Sequence, residues 1–245
     1  MTSISFLSDV TDPVSWDEQG QPYSARFDDI YHTSSGAVRQ ADHVFLKGCG
    51  LPQGWQAKDE FTILETGFGL GLNFLTTWLR WQQDPKRCEC LHFVSLEAYP
   101  VKALDIAQAL QAFPELAKAG AKLVDVYPEL MGTSGRVVQQ AQFVNETGGG
   151  KVVLTLALGD ARMVLPQLQL EADAVFLDGF SPAKNPELWG ADICYELGRL
   201  AKPGARIATW CVASQVRQRL SGAGFSVQKV MGLPPKRNSL VGVYK

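Results

Sequence analysis

Four carboxylates and three glycines carry most of the chemistry this sequence offers. Glu65, Glu97, Asp160 and Asp178 each stand at or just past the end of an apolar run, and Gly67, Gly69 and Gly71 follow the first acid in Phe61-Thr-Ile-Leu-Glu-Thr-Gly-Phe-Gly-Leu-Gly-Leu-Asn73. Glycines there allow positive φ and let a ligand approach the backbone closely. Their spacing is G-x-G-x-G, whereas the dinucleotide fingerprint would need glycine at 72, which is leucine. A pyrophosphate would also be repelled by Glu65, while a sulfonium nucleoside with an α-amino group suits a carboxylate at that position. Taken alone, the same cluster also serves a tight turn or close packing.

The other acids gain meaning from where their strands end. Glu97 closes Leu91-His-Phe-Val-Ser-Leu-Glu97, 26 residues after Gly71. In doubly wound nucleotide folds an acid there accepts hydrogen bonds from ribose hydroxyls. Two readings stand for Asp160: it caps the helix that follows, or it accepts from an adenine amine. Asp178 ends Asp173-Ala-Val-Phe-Leu-Asp178, where catalytic groups of open sheets project, and the loop after it is stiffened by Gly179, Pro182 and Pro186. Phe180 and Trp189 could stack on a planar base or simply pack, and Tyr31 could close over a pocket or belong to the core.

These residues need a frame to converge. Strand 61–66, helix 71–83, strand 91–97 and helix 101–113 alternate, as do strand 173–178, helix 190–201, strand 205–211 and helix 213–222. Between them lie a short helical piece near 115–124, an alternating segment from Arg136 to Val144, and strand 151–158 after a glycine run, which suggests a hairpin; a helix is expected at 161–169. Two last strands, near 226–231 and 239–244, close the chain as an antiparallel hairpin. The fold class is α/β: a Rossmann-like, mostly parallel sheet with the C-terminal hairpin, which by analogy resembles the S-adenosylmethionine-dependent methyltransferase fold, and a β-rich N-terminal elaboration over residues 1–60, packed on a core of 61–245. Strand candidates in that elaboration are Phe27–Tyr31 and His43–Lys47.

Composition bounds the reading. The 245 residues, 46% hydrophobic and 20% charged, suffice for one full core, and no apolar run approaches a membrane span. A cytoplasmic protein with no membrane partner is expected. Five scattered cysteines and three histidines without ligand spacing argue against disulfides and against a metal. Net charge is −2, but from Phe180 onward ten Lys/Arg face three acids. That asymmetry fits a positive face beside the site or an ordinary solvated surface.

Three stretches carry a family resemblance. Glu65–Asn73, Phe176-Leu-Asp-Gly-Phe-Ser-Pro-Ala-Lys-Asn-Pro186 and Pro235-Lys-Arg237, with Phe27-Asp-Asp-Ile-Tyr31 upstream, resemble the tRNA (5-methylaminomethyl-2-thiouridine) methyltransferase family, the methyltransferase half of MnmC-type bifunctional enzymes. Leu70 and Ser181 depart from its pattern, where a small polar residue and an alanine are expected. The resemblance implies methyl transfer from S-adenosylmethionine to the amine of 5-aminomethyl(-2-thio)uridine at the tRNA wobble position, with tRNA as partner. FAD enters only through the family's oxidase half, fused or separate. Asp178 is the implied catalytic residue. Tyr31, Glu65, Gly67, Phe68, Gly69, Gly71, Asn73, Glu97, Asp160, Asp178 and Gly179 are the implied cofactor residues, and Phe180, Lys184, Asn185, Lys236 and Arg237 the implied substrate residues. Two alternatives share the strand-turn-helix: an NAD(P)-dependent oxidoreductase and a non-catalytic RNA-binding module.

Overall fold

The computed structural model describes residues 11–32, 36–132, 138–145, 148–234 and 237–245. Apolar runs too short for helices and buried on both faces become the central strands β4 (Glu60–Glu65), β5 (Cys90–Glu97), β7 (Lys151–Leu158) and β8 (Ala172–Phe176), while β9 (Ala201–Thr209) is exposed over part of its first half and continuously buried only at Ile207–Thr209. β4 pairs in parallel with β5 on one side and β8 on the other; β5 continues to β7, and β8 to β9. The chain therefore changes direction across β4, which opens a crevice at the carboxyl ends of β4, β5 and β8. Antiparallel β6 (Val138–Val144) borders β7, and the hairpin of β10 (Phe225–Met231) and β11 (Asn238–Tyr244) joins β9 through β11, giving the order β10-β11-β9-β8-β4-β5-β7-β6.

Helices cover both faces because successive strand residues point to opposite sides. On one face Ile63 and Phe93 meet Phe74 and Trp78 of α2 (Leu72–Gln83) and Leu123 of α4 (Ala117–Leu130). On the other, Leu64 and Val175 meet Ile193 and Leu197 of α6 (Ala191–Leu200) and Leu220 of α7 (Ser214–Gly222). Helix α3 (Ala103–Leu110) packs on α4.

Several expectations are corrected. His43–Lys47 is not a strand: α1 (Ala37–Gln40) runs into a wide helical turn at Ala41–Leu46, which buries Val44, Phe45 and Leu46 against the sheet. Alternation over so few residues does not distinguish a strand from one buried helical face. The Phe27–Tyr31 candidate shrinks to β3 (Asp29–Ile30), which joins β1 (Val14–Trp16) and β2 (Pro22–Ser24) in a small separate sheet. The helix expected at 161–169 is only α5 (Ala161–Val164) followed by a tight turn at Leu165–Gln167, because Pro166 cannot donate to a continuing helix. The piece near 115–124 extends instead to Leu130, carrying Pro128 within its last turn. Arg136 lies outside the described residues.

Candidate active site

A cavity of about 690 Å3 opens at the crevice, bordered by the turn after β4, the ends of β5 and β8, and the N-terminal segment from Asp12 to Gln40. The turn is shaped by its glycines. Gly69 has φ +52, and a Cβ there would meet only the Tyr31 ring, at 3.4 Å. A Cβ on Gly67 would lie 3.3 Å from the Asp178 carbonyl oxygen. Gly69 thus keeps a slot open that a side chain would fill, while Gly67 lets the turn pack closely on the backbone after β8. Gly71 differs: with φ +74 it starts α2, does not border the cavity, and its Cβ would press to 2.9 Å from the Phe68 ring. The structure thus gives Gly71 a packing role.

Asp178 faces the cavity and is held from three directions. Its Oδ1 accepts from Gly179 N at 2.9 Å and Trp210 Nε1 at 2.8 Å, and its Oδ2 accepts from Asn73 Nδ2 at 2.8 Å. Its backbone is pinned as well: Thr66 Oγ1 donates to Asp178 O at 2.6 Å and accepts from Asp178 N at 3.0 Å. Since Thr66 follows β4, that reciprocal pair locks the two strand ends together. Such redundancy holds a carboxylate in one orientation.

Asn73 also donates to Glu65 Oε1 at 2.9 Å, and Ser95 Oγ donates to Glu65 Oε2 at 2.6 Å. Glu65 is 1% exposed and lies beneath the cavity, not on its wall. Burial first, then the charges of Asp178 and Glu97, raise its pKa well above the usual carboxylate range, against the two hydrogen bonds. Glu65, expected to offer its carboxylate to a cationic ligand group, orients Asn73 from beneath the cavity.

Glu97 borders the cavity. Its Oε2 accepts from Gly69 N at 2.8 Å and its Oε1 from Tyr99 N at 2.8 Å. A carboxylate has about four acceptor sites, so Glu97 keeps acceptor capacity for a ligand's hydroxyl. Burial raises its pKa, opposed by those two N–H donors. Asp160 does cap α5, accepting from Arg162 N at 2.9 Å, and its side chain also pairs with the Arg162 guanidinium, which lowers its pKa. It borders the cavity too, so capping and ligand contact are compatible.

The aromatic residues form a cluster at the mouth. Phe27 stacks on Phe180 at 4.6 Å between centroids, and Tyr31 meets Phe180 edge-on at 5.0 Å. Phe180 therefore joins the loop after β8 to the N-terminal segment, while Trp189 is fully buried and donates to Phe180 O. Phe68 and Asn185 border the cavity. Lys184 does not; its ammonium pairs with Asp28 at the surface. Arg237 is exposed and outside the cavity wall, and Lys236 lies outside the described residues.

Two residues on the wall had no sequence signal read for them. Trp210 follows β9, and its place at a strand's carboxyl end was the signal available. Asp12 is 1% exposed; its Oδ2 accepts from Ser24 Oγ and Tyr31 OH, and its Oδ1 makes no hydrogen bond but lies 3.8 Å from Arg26 Nε. Burial and Asp12 together push the Tyr31 phenol upward. Nothing local in the sequence marks Asp12.

The room beside Gly69, the acceptor capacity of Glu97 and the cavity that both border fit a nucleoside cofactor with hydroxyl and amine donors. Comparisons with known proteins agree. A family model described as S-adenosyl-L-methionine-dependent methyltransferase matches residues 114–245. The tRNA 5-methylaminomethyl-2-thiouridine biosynthesis bifunctional protein MnmC of Acidovorax sp. (strain JS42) is 45% identical over 235 residues, covering 96% of this chain and 36% of that protein. Its counterpart in Aromatoleum aromaticum is 49% identical over 228 residues, 93% of this chain and 34% of that protein. The chain thus spans about a third of the length of these relatives. In fold it is similar to the crystal structure of MNMC2 from Aquifex aeolicus, with TM-score 0.73 and 24% identity over 97% of this chain and 71% of that one.

Proposed function

The chain belongs to the S-adenosyl-L-methionine-dependent methyltransferase family, and from that premise we propose that it methylates the amine of 5-aminomethyl(-2-thio)uridine at the wobble position of tRNA. The alternative of a nicotinamide-dependent oxidoreductase falls with that membership, and so does that of a non-catalytic RNA-binding module. The tRNA specificity rests on the relatives' names, on the Phe176–Pro186 motif and on one geometric observation: a carboxylate, Asp178, is held rigidly across from the glycine turn, within the same cavity.

When bound, S-adenosylmethionine supplies an electrophilic methyl group on a sulfonium. Gly69 leaves room for it, Glu97 would accept from its ribose hydroxyls, and Gly67, Asp160 and Tyr31 border the same space. An alkyl ammonium titrates at roughly 10 in water and must lose a proton before its nitrogen can attack. Asp178 binds that ammonium, aligns it and receives the proton, while removal from water lowers the amine's own affinity for it. Asn73 and Trp210 keep the carboxylate from swinging away. Most of the acceleration comes from alignment of the two reactants. Asn185 and the Phe180 cluster flank the entering base, and the exposed Lys184 and Arg237, with Lys236 beside Arg237 in sequence, would meet tRNA phosphates.

Residues 1–60 are an elaboration of the methyltransferase domain, and Phe27 and Tyr31 of it shape the mouth of the cavity. The work is cytoplasmic, and an FAD-dependent oxidase, fused or separate, supplies the amine. Among the described residues no helix is long and apolar enough to cross a membrane. The test is incubation of labelled S-adenosylmethionine with tRNA from cells lacking the modification, followed by nucleoside analysis. Label in the wobble uridine is expected, and its absence with active cofactor binding would overturn the proposed substrate.

A further inference from the structure

At the opposite end of the sheet from the cavity, three side chains of different chemistry converge. Cys90 and His92 are two residues apart on β5 and share a face, and the parallel register sets Glu60, the first residue of β4, beside Cys90. Cys90 Sγ lies 3.2 Å from His92 Nε2, and His92 Nε2 lies 3.8 Å from Glu60 Oε1. All three ligand atoms fall within 4.8 Å of one another. Cys90 is buried, His92 half-buried and Glu60 exposed, so one side of the cluster faces water.

An acid, an imidazole and a thiol in company suggest a nucleophile relay, but the geometry denies one. A relay needs the acid on one ring nitrogen and the thiol on the other. Here both approach Nε2. Convergence of sulfur, nitrogen and oxygen on a single point is instead what a tetrahedral cation requires. With Zn–S about 2.3 Å, Zn–N about 2.0 Å and Zn–O about 2.0 Å, tetrahedral angles put S and N roughly 3.5 Å apart and N and O roughly 3.3 Å apart. The observed separations of 3.2 and 3.8 Å lie on either side of these values, and rotation of the exposed Glu60 side chain can close the difference.

We propose that Glu60, Cys90 and His92 form a Zn2+ site, with water in the fourth position. Thiolate and imidazole ligands select against Mg2+ and Ca2+, which prefer all-oxygen sites. Binding exchanges the Cys90 thiol proton, released to solvent, for the metal. Ligand spacing hid the site, because Glu60 and Cys90 are distant in sequence and meet only through strand pairing. The cation clamps β4 to β5 at their first residues, roughly 15–20 Å along the strand from Glu65. It acts on stability and takes no part in methyl transfer.

The experiment uses the untagged full chain, stripped with a chelator and titrated with Co2+ as a spectroscopic substitute for Zn2+. One equivalent should produce a near-ultraviolet thiolate-to-cobalt band and the visible bands of a four-coordinate ion, both removed by Zn2+. Zn2+ should also raise the melting temperature, since it binds only the folded chain tightly. Cys90→Ser should abolish the near-ultraviolet band, and His92→Ala and Glu60→Gln should each weaken binding by roughly tenfold or more. Absence of the band in the parent protein, or a band that survives unchanged in His92→Ala and Glu60→Gln, would overturn the site. Glu60 is exposed, so Glu60→Gln decides the matter even where the Cys90 variant fails to fold.

Discussion

Replacing Gly71 by alanine should damage the fold far more than the cofactor site, and replacing Gly69 should do the reverse. Both glycines have positive φ, +74 and +52, so an L-residue costs about 1–2 kcal/mol at either. At Gly71 the added Cβ would also lie 2.9 Å from the Phe68 ring and 3.1 Å from Leu123, both buried, which adds an overpacking cost of about 1–3 kcal/mol. Gly71→Ala should therefore lose about 2–5 kcal/mol, a fall in melting temperature of roughly 5–15 °C for a chain of this size. At Gly69 the Cβ would meet only Tyr31 at 3.4 Å, an ordinary contact, so stability should fall by only about 1–2 kcal/mol. The same methyl would occupy the slot proposed for the cofactor. A steric penalty of about 1–3 kcal/mol there corresponds to a loss of affinity of about 5- to 150-fold. Urea unfolding gives the first quantity, and calorimetric titration with S-adenosylhomocysteine gives the second. If Gly71→Ala unfolds within 1 kcal/mol of the parent, or weakens cofactor binding as strongly as Gly69→Ala, the division between packing glycine and cofactor glycine is wrong.

Three further outcomes follow from the site. Glu65 has a folded-state pKa above its ordinary value of 4.5, so the folded chain holds its proton longer than the unfolded one, and stability falls as pH rises from about 4.5 to the folded pKa. Glu65→Gln removes that loss; its stability relative to the parent should grow with pH, by up to about 1.4 kcal/mol per unit within the window, and parallel urea midpoints from pH 5 to 9 would refute the burial argument. Asp178→Asn should lower kcat by about 100- to 10,000-fold while tRNA binding stays intact, as gel-shift and single-turnover assays would register. Trp210→Phe removes a donor to Asp178, a hydrogen bond to a charged group of about 1.5–3 kcal/mol at most; a fall in kcat of roughly 10- to 150-fold is the upper limit, with S-adenosylhomocysteine affinity within about twofold. An unchanged kcat would mean that the carboxylate stays oriented without Trp210.

Much of the alternating core was legible because its strands are buried on both faces and its helices on one, so hydrophobic period and element type coincide. The N-terminal segment was not. There Val44, Phe45 and Leu46 bury themselves from a wide helical turn, a choice made by the sheet surface they meet and not by their own pattern. The site divides in the same way. Gly67, Gly69, Glu97 and Asp178 stand at strand ends that periodicity alone reveals, and all border the cavity. Glu65 stands at such an end too, yet Ser95 and Asn73 draw it below the wall.

By itself, then, the order of residues determined which acids and glycines sit at the carboxyl ends of parallel strands, because that follows from local periodicity and chain direction. Which of those acids faces a ligand, which glycine merely packs, how Asp12 and Trp210 enter the wall and how Glu60 reaches Cys90 were decided only by the tertiary structure. The physical reason is that orientation, desolvation and strand register are properties of neighbours distant in sequence, and no local pattern records them.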